Sequence, residues 1–157
     1  MSSKKRVKDF LDELHIHYIT MQHPTAYTAQ ELAHMMHISG KLFAKTVILR
    51  ADGEYMMAIV PATHKVNFNL FKKVAMVNNV ELAHEDDFMK LFPQCEVGAM
   101  PPFGNMYEMT TYVDKTIAED DEIYFNASNH FEAIKMKYKD FQKLVHPIVG
   151  TFAIRNW

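Results

Sequence analysis

Apolar and polar residues alternate along this chain with two different periods, and the switches between them divide it into elements. Val7, Phe10, Leu11 and Leu14 recur at helical spacing, which predicts an amphipathic helix over residues 4–14. Residues 17–22 read as a short strand with Tyr18 and Thr20 on one face. Thr28-Ala29-Gln30-Glu31 has the Thr-x-x-Glu pattern of a capping box and opens a second helix through residue 37, closed by Ser39-Gly40. The apolar run 44–50 is a strand, Asp52-Gly53 is a tight hairpin turn, and 55–60 returns as the partner, stopped by Pro61. Phe68, Leu70, Phe71, Lys72, Val74 and Ala75 predict a third helix, and 85–92 a fourth, ended by Pro93. The stretch 98–104 has no period and too much Gly and Pro for either element. Short strands follow at 107–110, 111–114, 123–125 and 133–138, then a helix at 140–144. The tail 146–157 carries no clear pattern.

Helices and strands are interspersed without a strict β-α alternation. The expected class is therefore α+β, a mixed sheet with helices around it, in a single domain over residues 1–157. With 48% hydrophobic and 23% charged residues the composition is that of an ordinary globular protein. The single cysteine, Cys95, precludes an intrachain disulfide and is compatible with a reducing compartment. The basic start, Met1 to Arg6, leads into a charged amphipathic segment and not an apolar core, so it does not read as a signal peptide. No apolar run is long enough to span a bilayer. A cytoplasmic location, with no membrane and no DNA partner, is expected. The net charge of −2 argues against coating long stretches of nucleic acid, which needs many cations, but allows a grip on one strand end.

Lys45 breaks the apolar alternation. It shares a face with Val47 and Leu49, while Thr46, Ile48 and Arg50 share the other. A charge there is costly unless it is paired or used. Two readings stay open: a functional cation, or a side chain that lays its stem over its neighbours and its ammonium in water. The 98–104 loop offers backbone N–H groups, stiffened by Pro101 and Pro102, that suit a carbonyl oxygen or phosphate; a plain structural turn is the alternative. Nine histidines raise a metal site, with His15-x-His17 and His34-x-x-His37 as the spacings to weigh. No cysteine pair or His-Glu-x-x-His pattern supports either, so no metal and no cofactor are expected. The twelve methionines read first as a pliable core, with a soft pocket wall as the alternative. Ser128 lacks a nucleophile elbow, and Cys95 lacks a cationic neighbour in sequence, so neither is expected to be a nucleophile. Lys135, Lys137 and Lys139 alternate with Ile134, Met136 and Tyr138 as a solvated face does. His130, in the polar turn 126–130, is set apart from the other histidines.

Taken together, Ala44-Lys45-Thr46-Val47, Val60-Pro61-Ala62, the run 95–104, Tyr112-Val113-Asp114 and the turn 126–130 resemble the YbaK-like family over residues 23–144. Its relatives include the editing domain inserted in bacterial prolyl-tRNA synthetases and freestanding trans-editing deacylases. The resemblance implies a mostly antiparallel, partly barrel-like mixed sheet surrounded by helices. It implies hydrolysis of the ester joining a small mischarged amino acid to tRNA, with the acceptor end of that tRNA, and an aminoacyl-tRNA synthetase, as partners. It also implies roles for Lys45, Gly98 and Pro102 in catalysis. Tyr27, Phe43, Thr46, Met100, Pro101, Phe103, Gly104, Ser128 and His130 would contact substrate. The family often has glycine where this chain has Ser128, which puts the substrate in question more than the reaction. A non-catalytic module of the same fold, binding a tRNA end or a synthetase, is the rival expectation.

Overall fold

The Asp52-Gly53 turn forms as the sequence demands: Asp52 has φ 48° and Gly53 φ 85°, the paired positive values that match the twist of a two-residue hairpin. It joins β2 (Ala44–Ala51) to β3 (Glu54–Pro61) in full antiparallel register, with Lys45 opposite Val60 and Leu49 opposite Met56. The Asp52 carboxylate accepts from the N–H groups of Asn78 and Asn79, which ties the turn to the chain after the third helix. The computed structural model describes residues 7–25, 28–36, 39–93, 95–96 and 99–155.

The remaining elements are α1 (Val7–Glu13), β1 (Tyr18–Gln22), α2 (Ala29–Met35), β4 (His64–Val66), α3 (Phe68–Ala75), β5 (Val80–Leu82) and α4 (Glu85–Leu91). A 3-10 turn (Gly104–Tyr107) then leads to β6 (Thr110–Asp114), α5 (Lys115–Ala118), β7 (Glu122–Asn126), β8 (Glu132–Lys137), α6 (Tyr138–Val145), β9 (Ile148–Gly150) and β10 (Ala153–Arg155). Three sheets result, ordered β5-β2-β3-β6-β9, β1-β8-β7 and β10-β4. They remain separate sheets and are not closed into a barrel. Pairing is antiparallel except β3–β6 and β6–β9, which run parallel, so the α+β class with a mixed, mostly antiparallel sheet is observed.

Because side chains alternate across β2 and β3, the central sheet buries both faces. Ala44, Ile48, Met57 and Ile59 face the larger core, built with Leu11, Phe103, Phe125 and Phe141. Leu49, Ala58 and Val60 face a second core with Phe71, Tyr112 and Phe152. A third cluster joins Ala29 and Ala33 of α2 to Phe43, Ala62 and Ala133. The capping box opens α2: Glu31 N–H donates to Thr28 Oγ1 at 3.0 Å, and that hydroxyl donates to Glu31 Oε1 at 3.1 Å. The last residue of the expected helix, His37, lies outside the described residues.

Several boundaries differ from expectation. The stretch expected as a strand at 107–110 is largely the end of the 3-10 turn, because Glu108 adopts a left-handed φ of 58° and β6 begins only at Thr110. The last helix starts at Tyr138 and not at 140, shortening β8 to residue 137. The patternless tail supplies β9 and β10, three-residue strands too short to show a period.

Candidate active site

Lys45 lies on β2 where the second and third clusters meet: Phe43 on its face belongs to the third, Leu49 to the second. The side chain is half-buried. Its ammonium does not run out into water but turns onto a backbone carbonyl, donating to His64 O at 2.6 Å. Burial pushes its pKa below the ordinary lysine value. His64 is itself buried and shares a 2.8 Å hydrogen bond between its Nδ1 and Thr63 Oγ1.

Among the described residues only β3 forms a ladder with the first half of β2; β5 joins it at 49–51. At its start, β2 meets β7 instead. Phe43 and Tyr124 form an isolated parallel bridge, and Tyr124 N–H donates to Leu42 O at 3.2 Å. Two residues further along the same faces are Lys45 and Asn126. Asn126 is buried, and its Oδ1 has no hydrogen-bond partner; the same holds for Thr46 Oγ1 on the opposite face of β2. Buried polar atoms left unpaired carry a cost of about 1–3 kcal/mol each.

The turn after β7 is tied to the segment before the Gly-Pro loop. Glu96 N–H donates to Ser128 O at 2.9 Å, and Glu96 Oε1 accepts from His130 N–H at 2.7 Å. Asn129 stiffens the same turn, its Oδ1 accepting from the N–H groups of Phe131 and Glu132. Ser128 has φ 78°, a conformation that favours glycine, so the departure from the family's usual residue keeps glycine-like backbone geometry. His130 is buried.

Gly98 and Tyr27 lie outside the described residues. The rest of the loop packs inward. Met100 joins the larger core, and Phe103 is fully buried there, its ring 5.5 Å from that of Phe125 and 5.3 Å from that of Phe141. Those side chains therefore share the core faced by Ala44 and Ile48, across β2 from Lys45. Pro101 and Pro102 are buried and have no N–H to offer. Ala99 N–H already donates to Glu96 O, and Phe103 N–H to Pro101 O. Among the described residues Met100 N–H takes no acceptor. Gly104 is needed for close approach: a Cβ there would overlap Thr111 Oγ1 and lie 2.7 Å from Met109 O. Cys95 Sγ is 3.6 Å from Tyr107 hydroxyl oxygen.

Asp114, the end of a motif read in sequence only as part of the resemblance, organises the other flank. Its Oδ1 accepts from Phe152 and Ala153 N–H at 2.9 and 2.8 Å, and its Oδ2 from Thr116 N–H and hydroxyl at 3.1 and 2.7 Å. Burial alone would raise its pKa, but these donors outweigh it and hold the carboxyl below the usual range. They also pin the start of β10, which pairs with β4 so that Arg155 lies opposite His64. Sequence reasoning passed over Lys41, His64 and Arg155, which gather beside Lys45. The only signal was their basic character, spread over more than a hundred residues of chain.

The family model for the aminoacyl-tRNA editing domain matches residues 23–144. Proline–tRNA ligases of Staphylococcus aureus strains Newman and JH1 are each 37% identical to this chain over 78 residues, 50% of the chain but 13% of the ligase. The chain thus aligns with only a small part of those enzymes. The fold is similar to the crystal structure of a hypothetical protein, with TM-score 0.85 and 17% identity, covering 96% of this chain and 100% of that one. It is also similar to a solved structure described as a candidate trans-editing enzyme for prolyl tRNA synthetase, with TM-score 0.83 and 15% identity over 97% and 96% of the two chains. Among the described residues no helix is long and apolar enough to cross a membrane. The match over most of its length places this chain in the aminoacyl-tRNA editing domain family.

Proposed function

We propose that this protein is an aminoacyl-tRNA deacylase acting in trans, which removes a small mischarged amino acid from the 3′ end of a tRNA. The observation that carries the reading, beside family membership, is the half-buried Lys45 ammonium held on a backbone carbonyl, on the strand whose start meets β7, where Asn126 Oδ1 is buried without a partner. An aminoacyl ester is already activated, so no protein nucleophile is required. The site must orient the carbonyl, place positive charge where the oxygen becomes anionic, and admit one water. Lys45 supplies that charge. The loop backbone, Gly98 with Met100 N–H, adds oxyanion donors, and Pro101 and Pro102 keep the loop from rearranging. The water oxygen bonds to the carbonyl carbon, the carbon–oxygen bond to the ribose breaks, and the neighbouring ribose hydroxyl relays the water's proton to the departing oxygen.

Phe43 is buried with the small residues Ala29, Ala33, Ala62 and Ala133, and in this reading the substrate side chain abuts the edge of that apolar cluster. Tyr27, Thr46, Ser128 and His130 complete the substrate contacts in this reading. A synthetase distinguishes one methylene by only about 1–3 kcal/mol, which is why a second, size-excluding pocket is useful. The supporting test is a panel of mischarged tRNAs with Lys45→Ala and Lys45→Met. Wild type releases a small amino acid, and both variants lose on the order of 100-fold or more in rate while retaining the wild-type circular dichroism spectrum. Full activity in either variant refutes the role of Lys45. Binding of tRNA without turnover across the panel refutes deacylation in favour of a non-catalytic module.

A further inference from the structure

Two asparagine side chains show what a structural role looks like in this fold. Asn67 Oδ1 caps α3, accepting from Leu70 N–H at 2.9 Å. Asn129 uses both ends of its amide: Oδ1 accepts from Phe131 and Glu132 N–H, and Nδ2 donates to Glu132 Oε1 at 2.9 Å. Asn126, at the end of β7 and 7% exposed, does neither: among the described residues its Oδ1 has no partner. Its backbone is held opposite Ala133 in the β7–β8 register. Residues directly opposite in a ladder share a face, so Asn126 lies on the face of Ala133, which packs with Phe43 in the third cluster. The Phe43–Tyr124 bridge makes Lys45 and Asn126 the next residues along that face from the two strands. Of the other buried polar atoms without a partner among the described residues, Thr46 Oγ1 is on the opposite face of β2. The remaining four, His23 Nε2, Thr111 Oγ1, Asp120 Oδ2 and the Tyr138 hydroxyl, lie off both strands.

A donor cation beside an acceptor that lacks a donor fits a ligand carrying an acceptor and a donor on adjacent carbons. An aminoacyl ester is such a ligand: its carbonyl oxygen accepts, and the α-amino group on the next carbon, protonated or neutral, always has N–H to donate. Lys45 carries only donors, so it serves the carbonyl and not the amine. We propose that Asn126 Oδ1 receives the α-amino group of the aminoacyl ester while Lys45 faces its carbonyl, so that the pair reads an α-amino acid rather than any acyl group. The inference rests on the deacylase reading for the ester, but recognition of the amine needs no hydrolysis. The broad two-fold torsion of an amide lets Asn126 turn its oxygen toward the ligand without breaking a hydrogen bond among the described residues. The acceptor is already out of water in the folded protein, so its desolvation cost falls on folding and not on binding. A ligand that brings the donor therefore gains nearly the whole bond.

The test uses an RNA minihelix ending in 3′-amino-3′-deoxyadenosine, acylated through a stable amide with alanine or with propionic acid, two ligands that differ by the amino group alone. Dissociation constants are measured for the full chain, for Asn126→Ala, and for Asn126→Asp, which keeps an acceptor. Asn126→Ala is expected to bind the alanyl ligand about 10-fold more weakly and the propionyl ligand as wild type does. Asn126→Asp is expected to hold the alanyl ligand about 3-fold or more tighter than Asn126→Ala. The propionyl ligand reports a misfolded variant, and Asn126→Leu, of similar shape and without an acceptor, takes the place of Asn126→Ala if that ligand is lost. An alanyl-to-propionyl ratio that neither variant shifts from the wild-type value by more than about 2-fold overturns the assignment. A wild type that binds neither ligand also overturns it. A ratio that shifts as expected in a protein that hydrolyses no mischarged tRNA leaves the assignment standing and defeats the deacylase reading alone. Hydrolysis of mischarged tRNA with an unshifted ratio does the reverse.

Discussion

Replacing Gly104 by alanine separates a structural reason for this glycine from a role in touching substrate. The added Cβ would overlap Thr111 Oγ1 and stand 2.7 Å from Met109 O. Carbon–oxygen contacts settle at about 3.3 Å or more, so the Met109 carbonyl would have to retreat by roughly 0.6 Å. Thr111 can yield cheaply, because its hydroxyl is buried without a partner and rotation breaks no hydrogen bond. Met109 O cannot: it is backbone between the 3-10 turn, where Met109 N–H donates to Gly104 O at 2.9 Å, and the start of β6. Overpacking of this kind costs about 2–3 kcal/mol. For a chain of this length that is a fall in Tm of about 4–12 °C. Urea unfolding and a thermal melt read the loss directly. Adding Thr111→Ala should recover part of it, seen as a coupling above about 0.5 kcal/mol, with the remainder set by the Met109 carbonyl. A Gly104→Ala protein that melts within about 1 °C of wild type while its KM rises would refute the packing argument and put Gly104 on the substrate.

Two further outcomes follow from the same geometry. Ser128→Gly relieves a φ of 78° and should stabilise the protein by up to about 1 kcal/mol in urea unfolding, part of the gain being returned as unfolded-state entropy; a destabilised variant contradicts it. Asp114 has a folded-state pKa below its unfolded value, so its stabilisation is complete above about pH 4 and is lost as pH falls through the folded pKa. Asp114→Asn, with one acceptor oxygen where four donors converge, should cost about 1–3 kcal/mol at pH 7 and flatten the acid limb of the stability curve. Parallel acid limbs for the two proteins would show that this carboxylate is not the titrating group.

Long elements were legible in sequence because each carries its own period. The β2–β3 hairpin is announced by Asp52-Gly53 and two apolar runs, and α2 by Thr28 and Glu31, which interact within one turn of each other. Elements of three residues, β4, β5, β9 and β10, were not legible. They are too short for periodicity and exist because a partner strand already stands beside them. The start of the strand expected at 107–110 failed differently, through a single left-handed residue, Glu108, that local pattern does not mark.

The candidate site divides along the same line. From the sequence alone, alternation puts Lys45 on the Val47-Leu49 face, and the Gly-Pro loop and the His130 turn stand out as breaks in pattern. These are properties of residues a few positions apart. Tertiary structure decided what each faces. It turned the Lys45 ammonium onto His64 O, buried Phe103 among Phe10, Phe125 and Phe141, and joined the loop to the turn through Glu96. It also brought Lys41 and Arg155 within electrostatic reach of His64. Such pairings span tens to more than a hundred residues and depend on sheet register and on which cores close over which faces, which no local spacing encodes.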